Sequence, residues 1–95
     1  MGPVTLGLGR LASCLGRHDE SDEYLDQAIT WARDQRATYQ VAEGLLYRAT
    51  NLVRRDAPGD REHAIELLDD CSTIAEPRGF GTILRRIVRA RASTT

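Results

Sequence analysis

The chain nearly repeats itself, and that leaves few folds open to it. Sliding the sequence by 43 residues superimposes Gly16 on Gly59, Leu25 on Leu68, Asp26 on Asp69 and Ala32 on Ala75, with Tyr24 on Leu67 and Trp31 on Ile74. A slide of 41 pairs the segments before these, Val4 with Leu45, Leu8 with Ala49 and Leu11 with Leu52, so the second unit carries two additional residues near Ala57 and Pro58. Such self-similarity means one supersecondary unit used twice, each copy covering an apolar face of the other. In 95 residues there is room for one small domain, spanning 1–95, and none for a barrel or a large cofactor fold. A chain of this size removes roughly 60 to 65% of its unfolded surface from water, enough for a thin core but not for a deep catalytic cavity.

The repeated unit is helical. Tyr24, Leu25, Ala28, Ile29, Trp31 and Ala32 form one stripe, with Asp19 as its capping candidate and Glu20, Asp22 and Glu23 at the positive end of the helix dipole. Ala42, Leu45, Leu46, Ala49, Leu52 and Val53 keep the i, i+3, i+4, i+7 spacing. Pro58 and Gly59 break the chain and Asp60 restarts it as an N-cap. Ala64, Leu67, Leu68, Cys71, Ile74 and Ala75 make the next stripe, closed by Pro77 and Gly79. Weaker helices run from Val4 to Leu15, ending at Gly16, and from Phe80 to Ala92. No stretch alternates as a strand would. The prediction is an all-α fold of about five helices in antiparallel hairpins: hairpin 1 over about 4–35, hairpin 2 over about 38–77, a terminal helix over about 80–92.

With 41% apolar and 28% charged residues the chain is neither disordered nor membrane-spanning, and it has no long uncharged apolar run. It reads as soluble and cytoplasmic. The thirteen basic residues are all arginine, a bias suggestive of bacterial origin. Cys14 and Cys71 sit within apolar stripes and read as buried thiols, not as a disulfide framework. Charge alternates with the helices: residues 1–17 carry +2, 18–35 carry −5, 36–55 carry +3, 56–77 carry −6 and 78–95 carry +5. The net charge of −1 conceals that polarity.

The chain resembles the tetratricopeptide repeat (TPR) family. Leu8-Gly9 matches its Leu-Gly pair, Gly16 its inter-helix turn, Leu25 its aromatic position and Ala28 its second alanine. In the second unit Ala64 matches the first alanine, Leu68 the aromatic and Cys71 the small residue. Thr5, Ala12 and Ser21 replace the tryptophan, the tyrosine and the first alanine, and the period exceeds the usual ~34 residues, which keeps HEAT-type repeats open as an alternative. The segment from Ala57 to Phe80 is similar to the degenerate repeats at the C-terminus of bacterial LuxR-type regulators and ATPase-linked nucleotide cyclases. The resemblance implies a non-enzymatic protein-interaction module of a signalling or transcription-regulatory system. It also implies that the first helix of each hairpin lines a concave groove, here basic, which takes another protein or an acidic peptide segment. The family's groove positions fall on Arg10 and Ser13, and on Tyr47, Asn51, Arg54 and Arg55. Asn51 resembles the asparagine that grips a peptide carboxylate in one TPR class, while Tyr47 stands where that class has a lysine.

No catalytic constellation, cofactor site or metal site emerges. Gly7, Gly9 and Ala12 spell G-x-G-x-x-A without the preceding strand that a dinucleotide fingerprint requires. His18 beside Asp19 and Glu20 reads as a hydrated turn, and His63 with Glu66, and Asp69 with Asp70, as solvated surface. The last helix carries Arg85, Arg86, Arg89 and Arg91, so the alternative function is a small DNA-contacting regulator reading through that helix. Against it, the helix has no interleaved aromatics and the domain as a whole is not basic. Two hairpins and a remnant fall short of the three repeats that usually close an array. Phe80, Ile83, Leu84, Ile87 and Val88 are therefore expected to leave an open edge for self-association, or for remaining repeats of a larger chain.

Overall fold

A computed structural model describes residues 2–94 and contains five helices: α1 (Gly2–Cys14), α2 (His18–Asp34), α3 (Thr38–Arg55), α4 (Asp60–Arg78) and α5 (Gly81–Ala92). Among the described residues there is no strand, and the fold is all-α. Met1 and Thr95, the ends of the expected domain, lie outside the described residues. The turns between helices are short, which forces sequence neighbours to lie antiparallel. Each helix packs on the next; in addition α1 meets α3 and α3 meets α5, while α2 and α4 do not touch. The odd helices therefore form one layer and the even helices the other. Overall extents of 31 × 31 × 18 Å suit two such layers about 8 to 10 Å apart.

The turns explain where the helices stop. Gly79 caps α4 with φ +66°, its N–H donating to Glu76 O and that of Phe80 to Ala75 O, a Schellman-type end in which the left-handed residue has no Cβ to clash. At the equivalent place after α2 the chain puts Arg36, with φ +55°, where α1 is followed by Gly16 at φ +78°. The helix starts depart from the sequence reading. Arg17 and Gly59 occupy the N-cap positions, so Asp19 and Asp60 lie inside the first turns. Helix α4 also runs through Pro77 to Arg78, with a single helical residue beyond the proline.

The core is one cluster running from Ile29 and Ala32 through α3 and α4 to Ile83 and Ile87. The even helices keep the 43-residue correspondence: Ser21 and Ala64, Leu25 and Leu68, and Ala32 and Ala75 are all fully buried pairs. The odd helices are offset by one from the expected register. Thr5, Gly9 and Ala12 are buried, matching Leu45, Ala49 and Leu52 at a slide of 40, whereas Val4, Leu8, Leu11 and Leu15 lie on an exposed line. Small residues face inward on α1 because it lies so close to α2. A Cβ placed on Gly9 would come within 2.7 Å of the Leu25 side chain, and one on Gly44 of α3 within 2.5 Å of Ile29. That approach lets Ser21 Oγ donate to Gly9 O at 2.7 Å. Cys71 is buried against Ala42 O as expected, and burial pushes its thiol up to about 11; Cys14 is exposed, contrary to expectation, because the inward face of α1 passes through Ser13 instead.

The last helix closes the array. Ile83 and Ile87 are 0% and 1% exposed, packed on α3 and α4, and Phe80 makes an edge-on contact with Tyr39 at 5.0 Å between ring centroids. Leu84 is half-buried against the same core and Val88 alone of the five is open, at 69%. The expected uncovered edge on α5 is thus covered within the chain. The exposed apolar line of the molecule is on α1 instead.

Candidate functional site

The odd helices bring their basic side chains to one face, where α1, α3 and α5 enclose an open cleft of about 400 Å³. Arg10, Ser13 and Cys14 line it from α1, Tyr47, Thr50 and Arg54 from α3, and Arg86, Arg89 and Ser93 from α5. Leu25, Leu46 and Ala90 supply its apolar floor. Among the described residues, four arginines and no carboxylate face this space.

Neutral groups hold three of the four guanidiniums. Tyr47 serves two: Arg10 stacks over its ring, 4.4 Å from the centroid, and Arg86 Nη1 donates to its hydroxyl at 2.8 Å. Cation–π attraction and a hydrogen bond to a phenol both position a guanidinium without cancelling its charge. Arg54 Nη1 donates to Ser13 Oγ at 3.0 Å, tying α3 to α1 in the same way. Among the described residues, none of these arginines, nor Arg89, makes an ion pair. Low-dielectric walls and a concave shape focus the resulting positive field.

Of the six expected groove residues, the structure gathers Arg10, Ser13, Tyr47 and Arg54 and removes two. Asn51 is 0% exposed: its Nδ2 donates to His18 O at 2.9 Å and its Oδ1 accepts from His18 Nδ1 at 2.8 Å. It therefore pins the start of α2 to α3 and is buried away from the cleft, and His18 is a half-buried structural residue, not a hydrated turn. Arg55 turns to the other side of α3. Its Nε and Nη2 donate to the two Asp60 oxygens at 2.7 Å each, and Nη1 reaches Asp19 at 3.0 Å. These hydrogen bonds hold the Asp60 carboxyl down at about 2, helped by the Ala57 N–H that it also accepts; the same partner raises the Arg55 guanidinium further above its already high range.

Sequence reasoning missed that Arg86 and Arg89 belong to the same site as Arg10 and Arg54. The signal was present in the alternating charge, since all the lining arginines come from the three positive segments. Elsewhere the acidic even helices are tied down by other arginines, Arg48 to Asp22 at 2.7 Å and Arg91 to Asp69 at 3.0 Å. Among the described residues no group of three or more His, Cys, Asp or Glu gathers to hold a metal ion, and no helix is long and apolar enough to cross a membrane. Neither protein-family models, nor curated proteins, nor solved structures contain a match to this chain.

Proposed function

We propose that this chain is a non-enzymatic interaction module that binds an acidic segment of another protein in the cleft between α1, α3 and α5. The observation that carries the reading is the convergence of four arginines on one concave surface, none paired with a carboxylate among the described residues. Arginine forks are the side chains best shaped for carboxylate and phosphate oxygens. The resemblance to the TPR family supports the reading further: Thr5, Gly9, Ala12, Ser21, Leu25 and Ala28, at the positions that the resemblance assigns to packing, are buried, and the resemblance would make the odd-helix layer the one that takes partners. A role in bacterial signalling or transcription regulation follows only from the resemblance of the Ala57–Phe80 segment.

The DNA-reading alternative loses two of its side chains to this cleft. Arg86 is bonded to Tyr47 and Arg89 lines the same hollow, while Arg91 is paired with Asp69. A reading helix needs its basic face to project into a groove. The test is titration of a glutamate-rich peptide, in low salt, against the wild type and the Arg54→Ala/Arg86→Ala variant. We expect the variant to bind at least about tenfold more weakly, two charge-assisted contacts being lost. Equal affinities would remove the cleft from the function, and tighter binding to duplex DNA than to peptide would favour the alternative.

A further inference from the structure

We infer that the anion this cleft takes is a phosphoryl group on a side chain of the bound segment, a phosphoserine or phosphothreonine, in preference to a carboxylate. This rests on the acidic-segment reading and specifies its anchoring group. Three features of the cleft argue for it.

The donors come from three walls, Arg10 on α1, Arg54 on α3, and Arg86 and Arg89 on α5. A carboxylate offers two oxygens in one plane, and a single fork can engage both. A phosphate monoester offers three acceptor oxygens and a charge of about −1.5 to −2, so it can accept from several directions at once. The arginines also retain their capacity. Arg54 and Arg86 each spend one N–H, on Ser13 and Tyr47, of the five that a guanidinium carries, and Arg10 is held through its flat face. Finally, twelve of the fourteen acids are on the even helices, and several near the cleft arginines in sequence are engaged elsewhere: Asp60 and Asp19 with Arg55, Asp22 with Arg48, and Asp56 with Arg61. A single negative charge would leave most of the four positive charges uncompensated, whereas a dianion flanked by acidic residues would neutralise them.

The experiment uses one alanine–glycine host peptide with two flanking glutamates and a central phosphoserine, glutamate or serine, followed by fluorescence anisotropy at low salt. The phosphoserine form is expected to bind at least about tenfold more tightly than the glutamate form at pH 7.5. That advantage should shrink toward pH 5.5, as the second phosphate proton, with a pKa of about 6, returns; the glutamate peptide stays ionised throughout. In the Arg54→Ala/Arg86→Ala variant, with its helicity and melting temperature checked, the preference should vanish. Equal binding of the phosphoserine and glutamate peptides overturns the phosphoryl assignment and leaves the acidic-segment reading standing. Failure of all three peptides to bind overturns both, as does a phosphoserine preference that the double variant retains.

Discussion

Arg54 and Arg55 are adjacent in the chain, on the same helix turn, and have opposite fates. Arg55 is closed off by Asp60 and Asp19, whereas Arg54 rests on the hydroxyl of Ser13 with its charge uncompensated. Successive residues on a helix point about 100° apart, so one faces the seam where α2 and α4 begin and the other faces the cleft. The seam shows arginine as a clamp. Two hydrogen bonds to a buried carboxylate, which also accepts from the Ala57 N–H, fix the α3–α4 turn. In the cleft, arginine is instead placed by neutral partners and, among the described residues, left without a carboxylate. Charge alone does not mark a binding residue; the identity of what holds it does.

The largest effect should come from breaking the seam. Asp60→Ala deletes the paired carboxylate and orphans the Ala57 N–H, and is expected to cost about 1 to 3 kcal/mol in a denaturant titration. Arg54→Ala should stay within about 0.5 kcal/mol of the wild type in the same measurement, as surface changes do. The contrast is sharper with pH. Because the folded Asp60 carboxyl lies at about 2, below the usual 3.8, its contribution is fully present above about pH 4 and is lost as the pH falls toward 2. In Asp60→Ala that segment of the pH–stability profile should flatten, whereas Arg54→Ala should keep it. A profile that is identical in wild type and Asp60→Ala would show that the clamp is not structural.

A smaller effect is expected at Tyr47, which serves only the cleft. Tyr47→Phe keeps the ring beneath Arg10 and removes the hydroxyl that Arg86 donates to. Affinity for the acidic peptide should fall a few-fold, on the order of 1 kcal/mol, with little change in melting. No change in affinity would mean that Arg86 needs no positioning. The smallest effect on folding is expected at the exposed ends. Leu11→Asp and Val88→Asp should each leave stability within about 0.5 kcal/mol, because both side chains already face water. Of the two, Leu11→Asp should lower the mass seen by light scattering at high concentration, since the continuous apolar line is on α1. A concentration-independent monomer in the wild type would end the self-association expectation.

Periodicity and turn chemistry made the helices legible. Gly16, Gly59 and Gly79 do sit at helix ends with positive φ, and the stripes of α2, α3 and α4 are the core. The register of α1 was misread because Val4, Leu8 and Leu11 are the large residues, and hydrophobic pattern assigns the large residues to the interior. Here close approach to α2 selects Thr5, Gly9 and Ala12 for the inside instead. In the cleft, Arg10, Ser13, Tyr47 and Arg54 were accessible through the repeat pattern. Asn51 and Arg55 were misplaced because their partners come from other helices, His18 at the start of α2 for Asn51, and Asp60 of α4 with Asp19 of α2 for Arg55. Arg86 and Arg89 read as a separate basic helix until α5 was seen to pack beside α3.

Gly9 does not line the cleft, yet it governs a residue that does. The side chain that its missing Cβ makes room for is that of Leu25, which also forms part of the cleft floor. A methyl group added at Gly9 has two ways out: it pushes α1 away from α2, moving Arg10 and Ser13 with it, or it drives Leu25 forward into the hollow. Either way the depth or span of the cleft changes while no arginine is substituted. The shape of the cleft is therefore adjustable from the α1–α2 contact, by a single carbon atom at a site that a scan of surface residues would pass over.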